Sequence, residues 1–291
     1  MITASPTTVI TAASPEPPRT SSARTPFAAL ILIGAVGGIL SGLFAIGGAI
    51  VMVPLLVWRA GMDQRRAAAT SLVAIIPTAV ASSATYLVHA DIDFVAAALI
   101  ASGSIGGAII GSRLLGRLPL VWLRWTFIAF ILLIAAYLLA NVTVPEPIDV
   151  QAISPLVATG YVGLGVLTGI ASGLFGIGGA IISVPLLGAV FAFSDVVAKG
   201  TALLVSIPTS LAGTVGNRRA SGRDVVDVRA GLVLGVTAAA TSVPAVYLAV
   251  GLPAEVSSAM FAVLLIAIAI QLGIKATLTR HRNSPLLQAH S

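Results

Sequence analysis

The sequence predicts an all-α polytopic membrane protein. It comprises two inverted repeats of about five apolar helices each, with a Gly-rich broken hairpin in each repeat. Three observations carry that expectation. Ser41 to Leu56 reads SGLFAIGGAIVMVPLL and Ser172 to Leu187 reads SGLFGIGGAIISVPLL, identical at 13 of 16 positions at an offset of 131 residues. Hydrophobic residues make up 57% of the 291-residue chain and charged residues 9%, where a soluble domain carries about a quarter charged. The cations border apolar runs and form no basic face, which excludes a nucleic-acid surface despite a net charge of +6.

The offset extends past the block. Gly34, Gly38 and Gly42 correspond to Gly165, Gly169 and Gly173, and Thr70, Pro77 and Thr78 to Thr201, Pro208 and Thr209. Such register across glycines and prolines marks a duplication. Residues 1–25, rich in Ser, Thr, Pro and Ala, read as a disordered cytoplasmic tail with no signal-peptide pattern.

Repeat 1 occupies 26–141. Phe27 to Ser41 and Ala49 to Trp58 are apolar arms around the Gly42–Gly48 interruption. An arm of 15 residues is about 22 Å long, short for a core of about 30 Å, so the pair is a re-entrant hairpin or two short spans. Arg59, Arg65 and Arg66 form a basic loop. Ala67 to Val88 is a span around Pro77, His89 to Asp93 an acidic loop, and Phe94 to Gly111 a span. Arg113 and Arg117 form a turn, and Leu120 to Ala140 is a further span. Glu146 and Asp149 sit in an extracytoplasmic linker over 142–154.

Repeat 2 spans 155–274 on the same plan. Pro155 to Ser172 and Ala180 to Ala192 flank the second Gly-rich break. Asp195 and Lys199 lie in a turn, and Thr201 to Val215 is a span around Pro208. Arg218, Arg219, Arg223 and Arg229 make a basic loop before the spans Gly231 to Val250 and Ser257 to Ile274. Residues 275–291 form a basic cytoplasmic tail.

With both termini in the cytoplasm, 15 of the 16 Lys and Arg fall inside, Lys199 being the exception. An odd number of apolar stretches per repeat inverts the second repeat. The two Gly-rich tips then enter from opposite faces and meet near the midplane.

Those tips carry the candidate chemistry: Gly47 and Gly48 in the first, Gly178 and Gly179 in the second. Backbone at membrane depth lines a cavity or is buried in protein. A helix begins after each Gly-Gly, so unpaired N–H groups and the positive end of the helix dipole point at the tip. Two such ends make an anion site without a charged side chain. Thr70, Ser71 and Thr201 offer hydroxyls to complete its shell, or bond their own preceding turn. Gly34, Gly38 and Gly42 and their counterparts, at four-residue spacing, read as packing positions. Lys199 reads as a solvated loop charge, the alternative being an anion attractor at the entrance.

No Asp, Glu, Lys, Arg or His lies deep within a span on these boundaries, and the chain has no cysteine. A proton-relay carboxylate at the midplane is therefore not expected. Coupling falls to sodium on backbone carbonyls, to a boundary group such as Asp91 or Asp195, or to nothing. An enzyme is not expected, because no nucleophile, base or metal cluster lies at depth. No cofactor or metal is expected.

The paired Gly-Leu-Phe-x-Ile-Gly-Gly-Ala…Val-Pro-Leu-Leu blocks, each followed by a Thr and a Pro-Thr, resemble the TauE/SafE family, the sulfite exporter-like membrane transporters. The resemblance covers residues 27–274. It implies a multi-pass carrier of the inner cell membrane for a small anion, a sulfur oxyanion or organosulfonate such as sulfite or sulfoacetate. By motif position it points to Gly47, Gly48, Gly178 and Gly179, with Thr70 and Thr201 beside them. Ala45 stands where the second copy has Gly176, and Ala49 and Ala180 replace a third glycine common in the family. Transport by alternating access is the leading reading, and an anion-selective channel of the same architecture the alternative. The partners expected are the anion and the lipid bilayer. The Gly-rich faces suit a homodimer as well as internal packing.

Overall fold

A computed structural model describes residues 27–89, 92–140, 154–222 and 225–282. The described residues form ten helices: α1 (Phe27–Phe44), α2 (Ala49–Arg59), α3 (Gln64–His89), α4 (Phe94–Arg117), α5 (Leu120–Ala140), α6 (Pro155–Phe175), α7 (Ala180–Phe191), α8 (Asp195–Ser221), α9 (Val228–Val250) and α10 (Ala254–Arg282). The expected N-terminal tail, Asp91, Glu146 and Asp149 lie outside the described residues.

Eight helices are long and apolar enough to cross a membrane. The other two, α2 and α7, have 11 and 12 residues, about 16–18 Å of helix. Each is the returning arm of a hairpin whose outgoing arm is α1 or α6.

Several boundaries differ from the sequence reading: the arginines read as loops lie on helices, Arg59 ending α2, Arg65 and Arg66 in the first turn of α3, Arg218 and Arg219 in the last turn of α8 and Arg229 in the first turn of α9. Helix α4 runs on through Arg117, so Arg113 and Arg117 lie on a helix and not in a turn. Helix α8 starts at Asp195, with Ser194 at its N-cap position, so Asp195 and Lys199 are helical too. An acid in the first turn favours a helix start, but an apolar window stops at the first charge. Helix α10 continues through Arg282.

The halves interlock. The glycines of α1 lie against α9 (Gly34 on Leu234, Gly42 on Ser242 and Val246), and those of α6 lie against α4 (Gly165 on Ile100, Gly173 on Ala108). In both pairs the residue numbers rise together, so the partners run parallel. Helix α3 also runs parallel to α9, Gly231 meeting Val73 and Gly235 meeting Pro77. Helix α8 runs parallel to α4, as Thr201 meets Asp93 and Gly216 meets Ser112. At the centre α3 and α8 run antiparallel, Gly200 lying at Tyr86 and Gly213 at Leu72. Thus α1, α3 and α9 point one way and α4, α6 and α8 the other.

Basic helix ends gather at one end of the bundle. Arg66 at the start of α3 pairs with Asp227 before α9 at 3.1 Å, and Arg65 donates to the Leu118 carbonyl after α4 at 2.9 Å.

The parallel pairs touch backbone to backbone. A Cβ on Gly107 would sit 2.3 Å from the Val166 carbonyl oxygen, whereas one on neighbouring Gly106 would meet nothing within 4 Å. Backbone cannot swing aside as a side chain does, so Gly107→Val should cost at least the upper end of the roughly 1–3 kcal/mol typical of overpacking. Gly106→Val should be near neutral. Melting temperature and monodisperse yield of the detergent-extracted variants check this contrast between adjacent residues.

Candidate substrate site

Each hairpin turns on two glycines in the left-handed region. Gly47 and Gly48 have φ of 66° and 72°, and Gly178 and Gly179 have 74° and 85°. Only glycine takes these values without steric cost. At Gly48 the space also demands it, because a Cβ would lie 2.5 Å from the Gly37 carbonyl oxygen. The turn thereby folds the start of α2 back against the middle of α1. In the other half Gly179 lies beside Thr168, in the middle of α6.

The two elbows meet. Ile75, in the middle of α3, lies between them: a Cβ on Gly47 would be 3.3 Å from its Cγ2, and one on Gly178 3.0 Å from its Cδ1 and Cγ2. The Ile177 carbonyl oxygen is 3.8 Å from the same Gly47 position. Ile46, Ile75 and Ile177 are fully buried. The elbows are therefore adjacent at mid-bundle, with Ile75 packed against both.

The helices that leave the elbows begin uncapped. Gly48 and Gly179 offer no side-chain cap. The first amides bonded in α2 are those of Val51 and Met52, both to the Gly48 carbonyl, and in α7 those of Ile182 and Ser183, both to the Gly179 carbonyl. The N–H groups of Ala49, Ile50, Ala180 and Ile181 have no acceptor among the described residues, and all four residues are buried. Leaving a buried donor unbonded costs about 1–3 kcal/mol, and native structures rarely do so. At the second elbow lies a residue absent from the sequence reading. Ser210 of α8 is fully buried, its Oγ has no partner among the described residues, and it lies 3.5 Å from the position of a Cβ on Gly178. Ser41 and Ser172, matched positions before each elbow, are also buried, with no partner for the hydroxyl among the described residues.

Of the hydroxyls read from sequence, Ser71 reaches an elbow, donating to the Gly176 carbonyl at 2.7 Å. Thr70 and Thr201 are engaged elsewhere. Thr70 Oγ1 accepts from the Asp227 amide at 3.2 Å, and Thr201 Oγ1 from the Asp93 amide at 3.3 Å. Asp227 and Asp93 are the N-caps of α9 and α4. Each threonine thus tethers a helix start of the opposite half.

Lys199 departs furthest from expectation. It is 3% exposed, not a solvated loop charge, and it donates to Asp195 and Ser257. Among the described residues no group of three or more His, Cys, Asp or Glu is placed to hold a metal.

The family model described as Sulfite exporter TauE/SafE matches residues 1–138 and 161–290. The chain is similar to the probable membrane transporter protein YunE of Bacillus subtilis, at 28% identity over 214 residues, 65% of this chain and 77% of that one. It is similar to a probable membrane transporter protein of Haemophilus influenzae at 28% over 164 residues, 54% and 61% of the two chains. A shorter match joins it to the probable membrane transporter protein YdhB of B. subtilis, 29% over 94 residues, 32% and 38% of the chains. No solved structure matches.

If the threonine tethers are structural, Thr70→Val, which keeps the shape and removes the acceptor, should destabilise by about 1–2 kcal/mol. Thr70→Ser should recover most of that loss. Thermal unfolding in detergent measures both.

Proposed function

The chain belongs to the sulfite exporter TauE/SafE family of membrane transporters, and from that premise we propose that it moves a small anion, a sulfur oxyanion or organosulfonate such as sulfite or sulfoacetate, across the inner cell membrane. The observation that carries the reading is the meeting of two uncapped helix starts beside an unpartnered buried hydroxyl. The free amides of Ala49, Ile50, Ala180 and Ile181 and the Ser210 hydroxyl supply five donors and no fixed positive charge. Donors of this kind, with two helix dipoles behind them, suit a compact oxyanion with several acceptor oxygens. Gly47, Gly48, Gly178 and Gly179 let the ligand approach the backbone, and Ser71 braces the second elbow through Gly176.

Full burial of the elbows supports alternating access over a standing pore. A ligand reaches buried amides only when the helices part, and Ile75 blocks direct passage between the elbows. The opposed directions of α3 and α8 support an inverted-repeat arrangement, in which either half opens in turn. With the arginine-bearing ends in the cytoplasm, both termini face inward. The bilayer and the anion are the partners this reading needs.

In proteoliposomes, sulfite counterflow should be saturable in the wild type. Gly179→Ala, which forces a Cβ into the left-handed region at about 1–2 kcal/mol and shifts the α7 amides, should reduce flux at least about tenfold. Ser210→Ala should raise KM several-fold. Unchanged flux in both variants would rule out the elbows as the site, and linear flux without counterflow would mark a channel.

A further inference from the structure

Lys199 sits where the fold makes no demand for a cation. Its counterpart at the 131-residue offset is Ala68, which packs against Gly176 of the other half. An alanine suffices there, and burying a lysine is costly unless it is paired. The Lys199 side chain is 4% exposed and that of its partner Asp195 19%, so the cation lies deeper than its carboxylate. Nζ donates to Asp195 Oδ2 at 2.5 Å and to Ser257 Oγ at 2.8 Å. An ammonium has three donors, and the third has no acceptor among the described residues.

The pair lines a cleft with room for about one water molecule, some 20 Å³, together with Phe44, Pro185, Ser257, Ser258 and Phe261. Phe44 is the last residue of α1 before the first elbow, and Pro185 lies within α7, so the cleft touches both hairpins. Lys199, Ser206 and Ser210 fall at i, i+7 and i+11 on one face of α8, and Ser210 lies at the second elbow. The matching face of α3 is Ala68, Ile75 and Ala79. On α8 alone this face is polar at Lys199, at Ser206, whose hydroxyl donates to the Ala202 carbonyl at 2.8 Å, and at the unpartnered Ser210, and it runs from the helix end opposite Arg218 and Arg219.

We propose that Lys199, with Ser257 and Ser258, is a second anion subsite in series with the elbows, and that Asp195 is the resident counter-ion an arriving anion displaces. This inference rests on the reading that the chain moves a small anion. Passage through a series of sites requires each to bind strongly enough to admit the ion and weakly enough to release it. A bare buried lysine would hold the anion too long. The competing carboxylate weakens that hold, and the serine hydroxyls share the ligand during exchange.

The test uses full-length protein, with sulfite as probe, read by flux in proteoliposomes and by sulfite-dependent thermal stabilisation in detergent. Asp195→Asn frees the lysine and should lower the half-saturating sulfite concentration about tenfold. Lys199→Gln should raise it about tenfold, with the maximal rate within about twofold, and Lys199→Arg should restore it. The double variant Asp195→Asn/Lys199→Gln leaves no unpaired charge and should behave as Lys199→Gln. If Gly179→Ala leaves flux intact while Lys199→Gln still weakens sulfite binding, the elbow reading fails and the lysine subsite stands. If the charge variants lower the melting temperature but leave the sulfite midpoint in place, the pair is structural and the proposal is overturned. A wild type indifferent to sulfite in both readouts overturns it as well.

Discussion

Backbone-to-backbone contact between α1 and α9, and between α4 and α6, decides where everything else in the bundle sits. Lipid tails are as apolar as the helix faces, so helices associate in a bilayer through close packing more than through a hydrophobic force. Glycine at four-residue spacing brings the axes near enough for carbonyls to touch Cα atoms, as Gly165, Gly169 and Gly173 do along α4. Both contacts join one half of the chain to the other. Neither hairpin arm is therefore positioned by its own half alone. Each is clamped by the fourth helix of its twin, and that clamp sets the depth at which the elbow turns back.

From that depth the amide chemistry follows. A helix starting at the membrane surface has water for its first N–H groups. Helices starting at Ala49 and Ala180 do not, because the returning chain has carried them to mid-bundle. A side-chain cap would have satisfied them, yet glycine occupies both N-cap positions. The same residue that permits the turn withholds the cap, so sharp reversal and unsatisfied donors arise together. Ala45 takes a left-handed φ of 55° where its counterpart is Gly176, a position where a Cβ would meet the Ala68 carbonyl oxygen.

Helix order and the turning points were legible in the sequence because they depend on local pattern: apolar length, glycine pairs, and charges at boundaries. The sequence reading set the two Gly-rich tips together, and in the structure both lie against Ile75. Partners far along the chain were not legible. Thr70 bonds a residue 157 positions away, Thr201 one 108 away, and Lys199 a serine 58 away. No local window contains them. Lys199 also follows Asp195 at four residues, a spacing that reads equally well as an exposed helical ion pair. Burial, which separates those cases, depends on α10 folding over it. Ser210 escaped notice for a different reason: a serine in an apolar helix is unremarkable until its surroundings show that nothing answers its hydroxyl.

The matched threonines invite a more general argument. Their recurrence in both copies suggested function, yet each holds a helix cap of the opposite half. A duplicated chain must keep in both copies whatever its symmetric framework requires, so matched residues report first on the framework. The glycine elbows are matched because two hairpins must turn. Chemistry that breaks the symmetry has no such obligation: Lys199 against Ala68, Ser206 against Ile75, Ser210 against Ala79, and Asn217 against Tyr86. In these four pairs α8 carries the lysine, the serines and the asparagine, and Tyr86 on α3 is held to the Gly42 carbonyl; the reverse holds where Ser71 and Ser82 on α3 stand against Ala202 and Gly213 on α8. The two halves are thus alike in backbone and unlike in the polar groups they bury: α8 holds Lys199 and Ser210, and α3 holds Ser71 and Ser82.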